Sequence, residues 1–315
     1  MERRILLGIS SCLIGEKVRF DGGHKRNSYL CELLANYVDF LPICPEVAIG
    51  LGIPRAAIRL VGNPKSPRLV EVNNPQQDYT QIMQEFANST IKQLTNISGY
   101  ILKSQSPTCG LKQVKVYQDK GVAPKLGQGL FAKVLAERFP CLPIEEEGRL
   151  NDPKLRENFI ERLFIYHDWQ TTRESDFTVN ALIKFHTRYK LTLMAHQPSK
   201  SRDLGKFVSQ INQKNLSVLA SEYIYNFMKI MSLVATPNTH ANVLQHCLGY
   251  FKTVLSKNDK QELVTIINNY RQGLLPLIVP LTLVNHHLIN HPQPYLEGQS
   301  YLSPYPDELM LRNHI

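Results

Sequence analysis

Three cysteines, Cys12, Cys44 and Cys109, each stand at or just past the end of a short apolar run: RILLGIS (4–10), DFLPIC (39–44) and GYILKS (99–104). Such runs, each bounded by a Gly, Ser or Pro signal, read as buried β-strands. The cysteines are 32 and 65 residues apart in sequence. In an open parallel sheet, however, ligands bind in the crevice beyond the C-terminal ends of the strands, so the three loops would share one edge. Three thiolates converging there could hold a soft metal or an iron–sulfur cluster. With three protein ligands instead of four, one metal position would stay open, as in a catalytic site. Glu46 lies two residues after Cys44, Ser106 three before Cys109, and Ser11 directly before Cys12. A carboxylate there is a candidate acid/base, and hydroxyls beside sulfur tune a metal centre. Each cysteine alone would more often be buried and inert; the trio at matching strand ends is what argues for a site.

The elements that must position these residues alternate. RNSYLCELLANYV (26–38) places Leu30, Leu33, Leu34 and Tyr37 on one helical face, while DYTQIMQEFANSTIKQL (78–94) and GLFAKVLAERF (129–139) are amphipathic. This βαβα rhythm predicts a Rossmann-like α/β domain with a parallel sheet over residues 1–150. The Pro- and Asn-punctuated stretch 53–77 predicts a loop or small hairpin over the site. KLGQGLF (125–131) carries a G-x-G before a helix, a weak phosphate signal that fits a tight turn better. EEEGRLNDP (145–153) breaks the pattern, and Pro153 suits a first helical position. Residues 151–315 then read as an all-α domain, with helices expected at 178–195, 203–233, 238–256 and 258–272. The apolar stretch 273–284 reads as a core segment, and the Pro- and Tyr-rich tail from 291 as an extended strap.

The chain has 315 residues, 43% hydrophobic and 20% charged, as in soluble globular proteins. No apolar run is long enough to span a membrane. The N-terminal run reads as a first strand and not a signal peptide, which predicts a cytoplasmic protein. Six cysteines in such a chain do not predict disulfides, and no C-x-x-C is present. Cys31, Cys141 and Cys247 read as structural. The formal net charge of +9 is shared, +5 (19 − 14) before residue 151 and +4 (17 − 13) after it. That balance is compatible with a nucleic-acid partner and equally with a basic soluble enzyme. Arg19, Asp21, Arg55 and Arg59, in the loops after two cysteine blocks, could contact a nucleotide's phosphate or base edge, or be solvated loop charges. Segment 182–214 holds seven Lys or Arg against one Asp. Its Lys184, Arg188, Lys190, Lys200, Arg202 and Lys206 could track phosphates with aromatic interleaving; the alternative is a solvated helix face. His240, His246, His286 and His287 come without an H-E-x-x-H and read as core or capping residues. There is no Walker loop and no call for a nucleotide cofactor.

The blocks SSCLIGEKVRFDGG, ICPEVAIGLGIPR and SPTCG resemble, in the right order, those of the bacterial thiouracil desulfidases, an iron–sulfur enzyme family. The likeness spans roughly residues 1–145. LMAH, THANVLQHCLGYFK and YRQGLLPLIVPLTLVNHH resemble a helical domain often fused to it. The fused arrangement is similar to desulfidases that remove sulfur from 4-thiouridine in tRNA. The resemblance implies a [4Fe–4S] cluster on Cys12, Cys44 and Cys109, with Glu46 as acid/base and Ser106 as second polar catalytic group. The open iron would take the thiocarbonyl sulfur, and water would replace it without net redox change. Thr108 departs from the family's common serine but keeps the hydroxyl. Two other readings stay open: a desulfidase of free thiouracil or thionucleosides, and a non-catalytic nucleic-acid-binding or DNA-repair accessory protein with a structural cluster or zinc.

Overall fold

Strand β1 (Ile5–Ser10) is covered on both faces, with Leu7 and Ile9 fully buried. That burial is why it reads as a continuous apolar run instead of alternating. The computed structural model describes residues 4–118 and 123–314. It divides into two units, Met1–Asp152 and Pro153–Ile315.

In the first unit the further strands are β2 (Val38–Ile43), β3 (Ile58–Val61), β4 (Arg68–Glu71), β5 (Gly99–Leu102), β6 (Val116–Tyr117) and β7 (Ile144–Glu146). A four-stranded parallel sheet has the order β2-β1-β5-β7. Its register pairs Ser10 with Ile43 and Ile9 with Ile101, so β1, β2 and β5, the strands that precede the three cysteines, end at one level. Gly8 admits the neighbouring strand's ring: a Cβ there would lie 2.3 Å from Tyr100. The expected hairpin over 53–77 is β3–β4, and β6 joins it in a second sheet of order β4-β3-β6.

The predicted helix over 26–38 is instead a π-type turn (Tyr29–Leu33) followed by a 3-10 turn (Leu34–Asn36). Asn27 Oδ1 accepts from Leu30 N at 3.2 Å, and Leu30 and Leu34 are still buried. The helices of this unit are α1 (Pro45–Ala48), α2 (Thr80–Gln93) and α3 (Leu130–Arg138).

The second unit is helical: α4 (Pro153–Glu174), α5 (Val179–Arg188), α6 (Lys190–His196), α7 (Pro198–Val208), α8 (Leu216–Met231), α9 (Pro237–Tyr250), α10 (Lys257–Arg271), α11 (Ile278–Asn290) and α12 (Pro294–Glu297). Two expected helices are broken. The stretch 178–195 interrupts at Tyr189, whose ring is buried among Phe185 and Phe227 and whose hydroxyl donates to Asp168 at 2.8 Å. The stretch 203–233 breaks at Asn212–Asn215, where Asn side chains bond the local backbone, the competition with helix that Asn offers. In 273–284 the helix starts only at Ile278, and Leu274 is exposed while Leu281 and Val284 are buried. The tail is not an extended strap but a run of short helical turns, its Leu296, Tyr301, Tyr305 and Leu309 buried. Arg312 pins it, donating to Glu157 at 3.2 Å and to the Tyr301 carbonyl at 2.7 Å. His196 and Glu161 form a buried pair at 2.8 Å, and His240 meets the Tyr301 hydroxyl at 2.9 Å. These are core histidines. No helix among the described residues is long and apolar enough to cross a membrane.

Candidate active site

Each cysteine loop is anchored by its strand. Cys12 sits in a 3-10 turn (Ser11–Ile14) after β1, Cys44 at the start of α1 after β2, and Cys109 in the loop after β5. All three line one cavity of about 370 Å³, together with Ser11, Arg19, Glu46, Arg55 and Ser106. All six cysteines are free thiols. Cys31, Cys141 and Cys247 are absent from the cavity wall.

The Cys109 loop is held from outside by α3. Its first amides, Leu130 N, Phe131 N and Ala132 N, donate to the Pro107 and Thr108 carbonyls at 3.0–3.2 Å. Gly129 must come this close: a Cβ there would lie 2.4 Å from the Thr108 carbonyl oxygen. The G-x-G therefore packs a helix end onto the cysteine loop, and its amides are engaged by protein. The glutamate run read only as a pattern break has the same use. Glu146 accepts from Leu111 N at 2.8 Å, and Glu147 accepts from Ser104 N at 2.6 Å and pairs with Lys103. Gln105, at the turn between strand and cysteine, adopts a left-handed φ of 61°, a backbone cost characteristic of sites held by their surroundings.

Glu46 is fixed at both oxygens. Arg55 Nη2 donates to Oε2 at 2.6 Å and Nε at 3.2 Å, in a pair only 6% and 15% exposed. Thr108 Oγ1 donates to Oε1 at 2.9 Å, with Ser106 Oγ 3.5 Å from the same oxygen. Ser106 Oγ accepts from Thr108 N and Cys109 N at 3.2 and 3.1 Å and lies 2.9 Å from Thr108 Oγ1. Carboxylate, two hydroxyls and a sulfur loop thus form one network.

Burial pushes the Cys12 thiol up to about 11, against the pull of nearby Lys103. Burial pushes Cys109 up to about 12, opposed by hydrogen bonds from Ser10 and Thr108. Cys44 is also raised by burial, and the Val47 and Glu46 amides counteract it. Such thiols become thiolates when a cation meets them. Among the described residues no three His, Cys, Asp or Glu side chains converge closely enough for one metal ion. A zinc ion needs every sulfur within about 2.3 Å of a single point, whereas a polynuclear cluster takes its cysteines on different irons. Three sulfur donors lining one cavity are a donor set that such a cluster can take.

Asp21 does not line the cavity: it closes its own turn, accepting from Gly23 N at 3.0 Å and pairing with Arg19 at 3.4 Å. Arg59 lines an adjoining cavity. Lys184, Arg188, Lys190, Lys200, Arg202 and Lys206 are exposed, spread over α5, α6 and α7, and Arg188 is engaged by Asp168 at 2.9 Å. Sequence reasoning missed Ser10, Lys103 and the loop-holding glutamates. Lys103 and Ser10 are strand-end residues, and strand-end position was the one signal that could have singled them out.

Residues 7–147 match the family model of 2-thiouracil desulfurase, and residues 190–306 that of a protein family of unknown function, DUF1722. The uncharacterized protein YbgA of Escherichia coli (strain K12) is 33% identical over 165 residues, covering 52% of this chain and 98% of YbgA. A solved structure described as the [4Fe-4S]-dependent thiouracil desulfidase TudS is 27% identical, over 48% of this chain and 95% of that one, with a TM-score of 0.39. With three cysteines and a braced glutamate around the cavity of its first unit, the chain carries a 2-thiouracil desulfurase family domain over residues 7–147, joined to a DUF1722 domain over residues 190–306.

Proposed function

We propose that this chain is a [4Fe–4S]-dependent desulfidase that hydrolyses the C4–S bond of 4-thiouridine in tRNA, giving uridine and hydrosulfide. One observation carries the reading: Cys12, Cys44 and Cys109, from three strand ends, line one cavity with Glu46. When bound, the cluster would supply a Lewis acid that polarises the C–S bond. The three cysteines would hold it, and the solved desulfidase TudS carries such a cluster by its description.

The remaining chemistry belongs to the chain. Arg55 donates to Glu46 Oε2 at 2.6 Å and so holds the carboxylate in position to take a proton from water. Thr108 and Ser106 hold Oε1 toward the cavity. Water adds its oxygen to C4, gives one proton to Glu46 and its second proton to sulfur, and the C4–S bond breaks as hydrosulfide departs; no electrons are exchanged. In this reading residues 1–150 carry catalysis and 151–315 RNA capture, through the exposed cations of α5, α6 and α7.

Glu46→Ala in cluster-loaded protein is expected to end sulfide release while leaving visible absorption in place; retained turnover would remove Glu46 from its role. Sulfide release from thiolated tRNA is expected to exceed that from free 4-thiouracil, and equal or reversed rates would favour the small-molecule substrate. Colourless protein with stoichiometric zinc would refute the desulfidase reading altogether.

A further inference from the structure

Beside the cysteine cavity lies a second one of about 410 Å³, sharing Ala57, Ile58, Gln105 and Pro107 as a common wall. Its cations are Arg59, Lys115 and Lys125, and no Asp or Glu lines it. The two cavities differ in how their charge is balanced. Around the cysteines, Arg19 sits against Asp21, Arg55 against Glu46 and Lys103 against Glu147, which leaves Lys25 as the one lining cation with no carboxylate partner among the described residues. In the annex no carboxylate among the described residues pairs with Arg59, Lys115 or Lys125. Arg59 lies over the Tyr117 ring at 5.0 Å, and its buried Nε lacks a hydrogen-bond partner among the described residues. A buried donor left unpaired costs about 1–3 kcal/mol, and three uncompensated cations in one concavity attract an anion.

We infer that the annex binds the phosphate of a 4-thiouridine nucleotide whose base enters the cysteine cavity across the shared wall. The inference rests on the desulfidase reading of that cavity, which it deepens. The chemistry required is a phosphate group tethered by one ribose to the reacting base. Two sources supply it: the phosphate of a free mononucleotide, and the phosphates flanking the residue in a polynucleotide.

The test uses the cluster-loaded full chain and a Lys115→Ala/Lys125→Ala double variant, neither lysine belonging to the catalytic network. Sulfide release is followed with 4-thiouridine nucleoside, its 5′-monophosphate and a short single strand carrying one 4-thiouridine. Binding of a fluorescent uridine oligonucleotide is measured in parallel by anisotropy at 50 and 200 mM salt. Single-strand phosphate contacts contribute a slope of about 0.7 each. Losing two contacts should therefore shrink the wild type's fourfold-salt weakening by about sevenfold. The variant should leave kcat/KM for the nucleoside unchanged and lower it for one or both phosphorylated substrates. A loss confined to the oligonucleotide assigns the site to polynucleotide phosphate, and a loss already present with the monophosphate to the nucleotide's own. Equal effects on all three substrates overturn the inference, and so does an unchanged salt slope with no loss on either phosphorylated substrate. Wild-type protein that releases no sulfide from any substrate defeats the desulfidase reading instead, and the anisotropy arm still decides the annex.

Discussion

Replacing Thr108 by Val removes one hydroxyl and keeps the shape of a fully buried side chain. In the structure Thr108 Oγ1 donates to Glu46 Oε1 at 2.9 Å and lies 2.9 Å from Ser106 Oγ. Ser106 Oγ lies 3.5 Å from the same carboxylate oxygen, at the limit of hydrogen bonding, and cannot replace the lost donor without moving. A hydrogen bond to a charged group contributes about 1.5–3 kcal/mol. If Glu46 needs this bond to aim at water, T108V should lower kcat about 10- to 150-fold at roughly 1.4 kcal/mol per decade. KM should change little, because the hydroxyl faces the carboxylate and not the bound base. The assay is sulfide release by cluster-loaded protein, with thermal unfolding and visible absorption as controls. Thr108→Ser should restore most of the rate. A T108V enzyme with intact cluster and a kcat within twofold of wild type would refute the hydroxyl–carboxylate argument.

Gly129→Ala should destabilise the first unit by about 1–3 kcal/mol, because its Cβ would meet backbone atoms of Thr108 and Cys109 at 2.4–2.9 Å; a lowered unfolding midpoint and weakened cluster absorption check it. Serine at Cys12, Cys44 or Cys109 should abolish cluster absorption after reconstitution, whereas serine at Cys31 or Cys141 should leave it intact, since neither lines the cavity. Burial lowers the His186 pKa from 6.5 to about 4. The unfolded chain then binds a proton the folded one refuses, so stability is lost as pH falls from about 6.5 toward 4, by about 3 kcal/mol at the lower end. Urea unfolding of the full chain at pH 7, 5 and 4 tests this, with His186→Gln expected to flatten the decline; parallel curves would refute it.

The parallel sheet was legible because strands buried on both faces leave unbroken apolar runs, as ILLGIS does at residues 5–10. The candidate sulfur ligands were legible for a related reason, since a strand's end and a following cysteine are adjacent in sequence. The helix expected over 26–38 was not reliable: periodicity sees which side is apolar, and a π-type turn there buries the same Leu30 and Leu34 as an α-helix would. The break at Tyr189 was invisible because long-range aromatic contacts and the Asp168 bond decide it.

By itself the sequence determined the α/β-then-helical order, the three thiols at strand ends and the nearness of Glu46 to one of them. Those are matters of adjacency and period, which a linear chain displays. The tertiary structure alone decided that Arg55 and Thr108 grip opposite oxygens of Glu46 across 9 and 62 residues of chain. It also decided that Glu146 and Glu147 hold the cysteine loop from 35 and 43 residues away. Side-chain hydrogen bonds act over about 3 Å of space, and which residues come that close is settled by how strands and helices pack.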